Sequence, residues 1–219
     1  MIKNNSITLG ITGASGAFYA INLLKHLVNY YQKVHLVISD AGRIVLATEM
    51  DLALPESPKK IQTALAEYCE TSSEIISVYS KENWFSPIAS GSAAPKQMVI
   101  CPASMGCISA IATGASNTLM ERAADVVLKE RGQLILLPRE MPYSTIHLRN
   151  LLTLSEAGAT IMPASPGFYN RPESLEDLAN FVSARVLDHL KIENKIVSPW
   201  GYAKTKDKNA KDKNVKDNQ

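Results

Sequence analysis

A glycine-rich turn after the first apolar strand carries the residues whose types and spacing best suit chemistry. The stretch at residues 7–16 reads ITLGITGASG and leads into a predicted helix at residues 17–28. The turn combines small residues with hydroxyl side chains, namely Gly10, Thr12, Gly13, Ala14, Ser15 and Gly16. Glycines let a ligand approach the backbone closely, and the first N–H groups of a helix attract anions. The pattern predicts a phosphate-binding turn, with an ordinary tight strand-to-helix connection as the alternative.

The spacing of these glycines indicates which nucleotide the turn could hold. It reads GxxGxxG, whereas the dinucleotide fingerprint reads GxGxxG and is followed about 20 residues later by an acidic residue that binds the ribose. No acidic residue ends the second predicted strand at that distance. We therefore expect a mononucleotide such as FMN rather than NAD.

A second set of residues could stabilise a departing phosphate. Lys129 and Arg185 lie on predicted helices, and the pair Arg139 and Glu140 follows the fifth predicted strand. Lysine and arginine can bind a phosphate directly, and arginine does so with two parallel hydrogen bonds. The aspartates before the C-terminal tail are isolated from one another, so a clamp of clustered aspartates around a metal ion is not expected. The alternative is that each cation forms an ordinary surface ion pair.

The cysteines and histidines do not indicate a catalytic or metal-binding set. Cys69, Cys101 and Cys107 are odd in number and lack the spacing of a zinc site, so we expect reduced and mostly buried thiols. The histidines fall inside predicted elements and are interpreted as structural, at positions 26, 35, 147 and 189. No Ser-His-Asp arrangement is apparent.

The net charge of +2 comes from the C-terminal tail. Residues 204–219 contain six Lys and three Asp, which leaves 17 basic and 18 acidic residues in the rest of the chain. The Lys/Asp/Asn-rich segment at 201–219 has almost nothing to bury, so it is predicted to be disordered and solubilising, with nucleic-acid binding as the alternative. The start MIKNNS leads directly into a strand, and no apolar run approaches the roughly 18 residues of a membrane span, so we expect a cytoplasmic protein without membrane contact.

Strands and helices alternate along residues 1–200, which are predicted to form one domain. Strands are expected at 7–11, 34–39, 75–79, 97–101, 134–137 and 160–162, and helices at 17–28, 40–48, 61–69, 107–113, 121–131, 145–157 and 174–190. Glu49 falls just past the second helix, and residues 83–95 form a loop. This alternation predicts a Rossmann-like, doubly wound parallel sheet of order 3-2-1-4-5-6 in a three-layer α/β/α fold. Ligands of such sheets bind beyond the carboxyl ends of the strands.

Eight motifs then occur in a fixed order. They are TGASG at 12–16, Ser39, ASGS at 89–92, CPxS at 101–104, ERAADVVLKER at 121–131, PRE at 138–140, HLxNxLxLxxxGA at 147–159 and PGFYxRPxSxxD at 166–177. Together they resemble the UbiX/Pad1 family of flavin prenyltransferases over residues 6 to about 200. The resemblance implies a metal-independent enzyme that transfers a dimethylallyl group from dimethylallyl phosphate to reduced FMN within a homododecamer. Prenylated FMN, the product, would serve UbiD-type decarboxylases.

The resemblance also implies roles for individual residues. FMN would be held by Gly13, Ala14, Ser15, Ser39, Ser104, Met105, Gly106, Cys107 and Arg139. The phosphate of dimethylallyl phosphate would be held by Lys129, Glu140, Tyr169 and Arg185, with Arg122 nearby. Ser90 would belong to the substrate site, and Trp84 and Trp200 would line the prenyl pocket. Ser15 and Glu49 would serve the chemistry at flavin N5.

Two other functions remain open from the sequence. One is a related flavin-dependent cysteine decarboxylase, although the PxMNxxMW signature of that group is absent and residues 83–95 supply no catalytic histidine. The other is a non-catalytic carrier that stores FMN or delivers it to a partner. Turnover of reduced flavin with a prenyl phosphate distinguishes an enzyme from a carrier.

Overall fold

The fold is built around one six-stranded parallel sheet. A computed structural model describes residues 4–198 of the chain, and the predicted tail at 201–219 and Trp200 lie outside these residues. The strands are β1 (Asn4–Ile11), β2 (Tyr31–Ile38), β3 (Ile76–Tyr79), β4 (Gln97–Ala103), β5 (Gln133–Pro138) and β6 (Thr160–Ile161). Their order in the sheet is β3-β2-β1-β4-β5-β6, and all five neighbouring pairs are parallel. The predicted strand order is confirmed.

Seven α-helices connect the strands. They are α1 (Ala17–Tyr30), α2 (Asp40–Met50), α3 (Pro58–Tyr68), α4 (Met105–Ala112), α5 (Leu119–Lys129), α6 (Thr145–Glu156) and α7 (Leu175–His189). A short 3-10 turn, Gly91–Ala93, lies in the predicted loop at 83–95. None of the helices among residues 4–198 has the length and apolar character needed to cross a membrane.

The helices cover both faces of the sheet. On one face, α1, α2, α3 and α7 bury residues against β1 and β2, and on the other α4, α5 and α6 pack against β4 and β5. Alternate residues of β4 take part in the two cores: Val99 and Cys101 belong to the first, and Met98 and Ile100 to the second. This alternation follows from the two-residue period of a strand, and it explains why both faces of β4 are apolar. The three-layer α/β/α prediction is confirmed.

The chain changes face between β1 and β4, which are neighbours in the sheet. Connections from β1 run outward on one side through β2 to β3, and connections from β4 run outward on the other side through β5 to β6. In an open parallel sheet this reversal opens a crevice at the carboxyl ends of the two central strands. The predicted ligand region therefore coincides with the topological switch point.

Several helix boundaries differ from the predicted ones because capping side chains determine where helices begin. Thr118 and Glu121 form a reciprocal capping box, so α5 begins at Leu119 rather than at residue 121. Ser104 caps α4, so Met105, Gly106 and Cys107 form the first turn of that helix, which was expected to start only at residue 107. Glu49 was predicted to lie beyond α2, but it falls within the last turn of that helix.

Candidate functional site

A cavity of about 420 Å³ lies at the switch point, beyond the carboxyl ends of β1, β2 and β4. Five of the residues predicted to bind the flavin line it, namely Gly13, Ser39, Ser104, Gly106 and Cys107. Apolar side chains that the sequence analysis did not single out complete the lining, including Val37, Ile38 and Met120. A mostly apolar cleft with a few polar groups is the usual form of a small-molecule site.

Two helix N-termini point into this cavity. Ser39 caps α2 by accepting a hydrogen bond from Gly42 N (3.0 Å), and Ser104 caps α4 by accepting one from Cys107 N (3.4 Å). The first two N–H groups of each helix have no acceptor within the helix and carry its partial positive charge. A Cβ atom added to Gly106 would meet nothing within 4 Å, so a ligand can approach the backbone of α4 closely.

The N-terminus of α1 differs from these two because it is already occupied. One carboxylate oxygen of Glu49 accepts hydrogen bonds from Gly16 N (2.8 Å) and Ala17 N (2.9 Å). Part of the sequence prediction is therefore wrong: these N–H groups were expected to face a bound phosphate, and they face a carboxylate of the same chain instead. The open helix ends at the cavity belong to α2 and α4.

One glycine of this stretch is required by its backbone conformation and two by close packing. Gly16 adopts a positive φ of 111°, a conformation that disfavours other residues. A Cβ atom on Gly13 would lie 2.4 Å from Cβ of Ala41, so this glycine allows close packing of the turn against α2. A Cβ atom on Gly10 would meet the Met120 side chain at 3.2 Å, so this position also serves packing.

Ser15, Glu49 and Arg139 come together at one side of the turn. Burial alone would raise the pKa of Glu49, but the Ser15 hydroxyl, the two helix N–H groups and the charge of Arg139 outweigh it. The pKa of Glu49 is thus held below its usual value, and the carboxylate is ionised at neutral pH. Arg139 also lies beside Gly16, because a Cβ atom there would be 3.8 Å from Arg139 Cγ.

The cysteines near the cavity are neutral thiols. Burial raises the pKa of Cys107 to about 12, with a contribution from Glu121, and its Sγ lies 3.8 Å from Sδ of Met120. Cys101 is fully buried at the end of β4, and burial raises its pKa as well. These thiols are therefore packing groups, as predicted, and Cys107 offers an apolar contact to the cavity.

Arg122 and Lys129, two of the residues predicted to bind phosphate, lie on α5. Arg122 donates to the carbonyl of Ala89 (3.0 Å) and pairs with Asp125 (3.0 Å). Lys129 pairs with Glu130 (2.6 Å) at the end of α5, just before β5 begins. Lys129 thus lies near the amino end of the sheet, away from the cavity of its own chain.

Tyr169 and Arg185 were also predicted to bind the phosphate, and they lie in the opposite layer, on the α7 side of the sheet. The Tyr169 ring packs edge-on against Phe181, with centroids 5.6 Å apart. Arg185 pairs with Asp188 (2.7 Å) and lines a second cavity of about 290 Å³ together with Met162 and Phe181. The predicted set of phosphate ligands is therefore not assembled within one chain, because its members lie on α5 and on the α7 side of the sheet.

The remaining predicted residues are exposed or lie outside the described part of the chain. Glu140 accepts a hydrogen bond from Met141 N (3.1 Å) and faces solvent beside Arg139. Trp84 is partly exposed in the loop at 83–95, and Ser90 is exposed in the same loop. Ala14 is buried in the turn. No cluster of three or more His, Cys, Asp and Glu side chains suited to a metal ion occurs among residues 4–198.

One residue of the turn has a different role from the predicted one. The Thr12 hydroxyl was expected to be a donor to the ligand, but it donates to Pro102 O (2.6 Å) and accepts from Ser104 N (2.8 Å). The contribution of the start of α5 was not predicted: its N-cap Thr118, with Met120 and Glu121, lines the cavity. The pattern Thr-x-x-Glu at 118–121 is a capping-box signature, and it could have placed this helix start next to the cavity.

The fold and the cavity together define a Rossmann-like protein with a mononucleotide-type site at the switch point. A family model described as Flavoprotein matches residues 1–187. The flavin prenyltransferase UbiX of Pseudomonas aeruginosa is 54% identical over 195 residues, covering 89% of this chain and 93% of that protein. The corresponding protein of Halalkalibacterium halodurans is 44% identical and covers 89% of this chain and 92% of its own length.

Solved structures agree with these relatives. A dodecameric FMN-dependent UbiX-like decarboxylase from Escherichia coli O157:H7 superimposes with a TM-score of 0.78 at 34% identity, covering 89% of this chain and 98% of that one. The structure of AnUbiX (PadA1) in complex with FMN and dimethylallyl pyrophosphate also has a TM-score of 0.78, at 32% identity, with coverages of 90% and 98%. The chain belongs to the UbiX family of flavoproteins, which confirms the resemblance found in the sequence.

Proposed function

We propose that this protein is a flavin prenyltransferase that joins dimethylallyl phosphate to reduced FMN. A bond forms between flavin N5 and the prenyl C1 carbon, the carbon–oxygen bond of the phosphate ester breaks, and a second bond to flavin C6 closes a new ring. Inorganic phosphate leaves, the N5 and C6 protons are lost, and prenyl C2 gains a proton as flavin C6 bonds to prenyl C3. The remaining proton goes to the departing phosphate. The observation that carries the proposal is the cavity at the switch point, with its open N-termini of α2 and α4.

The residues around the cavity fit FMN. The N–H groups that open α2 and α4 suit the phosphate, and the Ser39 and Ser104 caps hold those helix ends in place. Val37, Ile38 and Met120 provide apolar contacts for a flat ring system. When bound, FMN supplies the nucleophilic atoms N5 and C6. We expect Ser15→Asp to weaken FMN binding, because the added carboxylate would lie beside the existing charge of Glu49.

Glu49 and Ser15 are suited to proton transfer beside the flavin. Glu49 is ionised at neutral pH, so it can accept a proton, and the Ser15 hydroxyl that hydrogen-bonds to it can relay one. Arg139 lies close enough to lower the pKa of Glu49. Glu49 and Ser15 act as the proton-handling pair of the proposed reaction, and Arg139 helps to keep Glu49 ionised.

The leaving phosphate requires residues from more than one copy of the chain. Lys129 and Arg122 lie on α5, whereas Arg185 lies on α7 in the opposite layer. Together with Tyr169 and Glu140 they become one phosphate site when copies pack around a shared cavity. Cations at a departing phosphate stabilise the charge that develops as the carbon–oxygen bond breaks.

The surface of the chain supports an assembly of copies. Ile146, Leu148 and Leu152 of α6 are each more than half exposed, and the nearby Met141 is 89% exposed. Exposed apolar side chains of this size are typical of surfaces that become buried in a complex. The E. coli relative is dodecameric, and we propose a homododecamer with shared active sites for this chain as well.

The proposed product is a modified flavin that a second enzyme uses. By family resemblance, we propose that prenylated FMN passes to a UbiD-type decarboxylase.

A non-catalytic FMN carrier is the main competing function, since the same cavity could hold FMN without turnover. The peptidyl-cysteine decarboxylase EpiD, a structural neighbour at 14% identity, shares the fold with this chain.

The deciding experiment is an anaerobic incubation of the protein with reduced FMN and dimethylallyl phosphate, followed by mass spectrometry of the released flavin. We expect the flavin mass to increase by one isoprene unit and inorganic phosphate to appear in equal amount. FMN that binds but keeps its mass would identify a carrier. Protein that does not bind FMN at all would refute the whole proposal.

A further inference from the structure

Thr12 joins the two turns that form the floor of the cavity. Its side chain is only 3% exposed, and its hydroxyl uses both of its hydrogen-bonding functions within the protein. The hydroxyl donates to the carbonyl oxygen of Pro102 (2.6 Å), and it accepts from the backbone N–H of Ser104 (2.8 Å). Thr12 N also donates to Pro102 O, at 3.3 Å. Three hydrogen bonds therefore connect one residue after β1 to the end of β4.

This connection takes over where the regular pairing of β1 with β4 ends. The paired positions run from Thr8 with Met98 to Gly10 with Ile100. Pro102 has no N–H group and cannot donate to a neighbouring strand, and the pairing of β4 with β5 shifts register between Ile100 and Ala103. Beyond Gly10 and Ile100, Thr12 therefore joins the two central strands through its backbone N–H and its hydroxyl.

The neighbours of Thr12 fasten the same segment to β2 and α2. Ile11 O accepts a hydrogen bond from Ser39 N (2.9 Å), and Gly13 packs against Ala41. On the other side, Ser104 is the N-cap of α4. Residues 11–13 therefore set the position of both helix N-termini that open into the cavity.

We propose that Thr12 is a positioning residue for flavin binding, which rests on the proposed function. Its hydroxyl fixes the position of the first turn of α4 relative to β1. In that position, the Met105 and Gly106 N–H groups reach the flavin. Threonine and serine can both donate and accept at this position, whereas valine has the shape of threonine without the hydroxyl. Valine would leave the Ser104 N–H without its acceptor and would keep only the backbone bond from Thr12 N to Pro102 O, so the start of α4 would be held less firmly.

The test compares Thr12→Val, Thr12→Ser and wild-type protein for FMN affinity, measured by quenching of flavin fluorescence well below the thermal midpoint of every variant. Losing the acceptor for the part-buried Ser104 N–H predicts that Thr12→Val weakens FMN binding about tenfold. Thr12→Ser should remain within about threefold of wild type, because it keeps the hydroxyl. Thr8→Val is the matched control, because Thr8 is as buried as Thr12 but lies within β1, before the cavity. The affinity of the Thr8→Val variant for FMN should equal that of wild type.

Thermal midpoints of the ligand-free variants separate positioning from simple destabilisation. If Thr8→Val and Thr12→Val lower the midpoint equally and only Thr12→Val loses FMN affinity, the positioning role is supported. Wild-type affinity in Thr12→Val would overturn it. If Thr12→Val does not fold, Thr12→Cys takes its place, since its thiol is a weak donor and acceptor, and unchanged affinity in that variant would equally overturn the inference. Failure of the wild-type protein to bind FMN would instead count against the proposed function.

Discussion

Lys129 and Arg185 lie in opposite helical layers of the same chain, Lys129 at the end of α5 and Arg185 in the last turns of α7. Each is paired with a neighbouring carboxylate, Glu130 and Asp188 respectively. The sheet separates the two layers, so one chain cannot bring both cations to one phosphate. If both act on the leaving group, they come from different copies.

Subunit complementation tests this arrangement. We expect Lys129→Ala and Arg185→Ala each to lower turnover by about 10²-fold, as for loss of a preorganised donor. Co-expression of the two variants should recover about a quarter of wild-type activity, because random assortment leaves that fraction of sites with both residues intact. Turnover is measured by mass spectrometry of the flavin at equal total protein.

A second pair of variants is the control for complementation. Tyr169 and Arg185 lie on the same side of the sheet, so Tyr169→Phe co-expressed with Arg185→Ala should show no gain over the mean of the separate variants. Absence of recovery with Lys129→Ala and Arg185→Ala, in assemblies shown to contain both chains, would mean that the two cations do not meet at a shared site.

The Glu49 carboxylate predicts a specific dependence of stability on charge. Glu49→Gln keeps the size of the side chain but removes the charge that the N-terminus of α1 attracts, so we expect a loss of about 1 kcal/mol in the free energy of unfolding. Because the folded-state pKa lies below the ordinary value of 4.5, this contribution is present above that value and disappears as pH falls through the folded pKa. Urea denaturation at pH 7 and at acidic pH measures both effects. Glu56→Gln, which alters an exposed carboxylate outside the helices, should behave as wild type at both pH values.

His35 predicts a loss of stability in mild acid. It is 8% exposed, its Nδ1 lies 2.8 Å from the Tyr79 hydroxyl, and burial together with the charge of Lys33 lowers its pKa to about 4. The unfolded chain binds a proton at higher pH than the folded one, so the free energy of unfolding should fall by about 3 kcal/mol as pH drops from 6.5 to 4. His35→Gln cannot titrate and should lack this part of the slope. His189→Gln should keep it, and identical slopes in all three proteins would contradict the assignment.

The aspartates predict that turnover does not need a divalent cation. Asp40, Asp125 and Asp188 are paired with Lys81, Arg122 and Arg185 respectively, and Asp177 caps α7. A cluster that could bind Mg²⁺ beside the leaving phosphate is not formed by these side chains. We expect full activity in EDTA and no gain on adding Mg²⁺. Loss of turnover in EDTA that Mg²⁺ restores would contradict this prediction.

Removal of residues 204–219 should leave FMN binding and turnover intact. This segment has no apolar period, and its residue types are not those of the proposed site. The comparison is between full-length and truncated protein in the same mass-spectrometric assay. A large loss of turnover on truncation would show that the segment takes part in catalysis.

The strand order and the layers were predictable because local signals agree with the global fold. Apolar runs such as residues 34–38 mark buried parallel strands, and Ser39 and Ser104 mark helix starts. The site was less predictable where it depends on distant residues. Glu49 reaches Gly16, which is 33 positions earlier, and no local pattern encodes that contact. The layer that carries Lys129 likewise depends on the direction in which each crossover packs. The position of Lys129 relative to the cavity therefore follows from the three-dimensional fold and not from a local sequence pattern.

The occupied N-terminus of α1 sets this helix apart from the two helices whose N-termini line the cavity. Residues at the starts of α2 and α4 line the cavity, whereas Glu49 accepts hydrogen bonds from Gly16 N and Ala17 N at the start of α1. An anionic group of a ligand can therefore find helix N–H donors at α2 and α4, but not at Gly16 and Ala17. One internal carboxylate thereby removes one of three helix starts from competition for the anion.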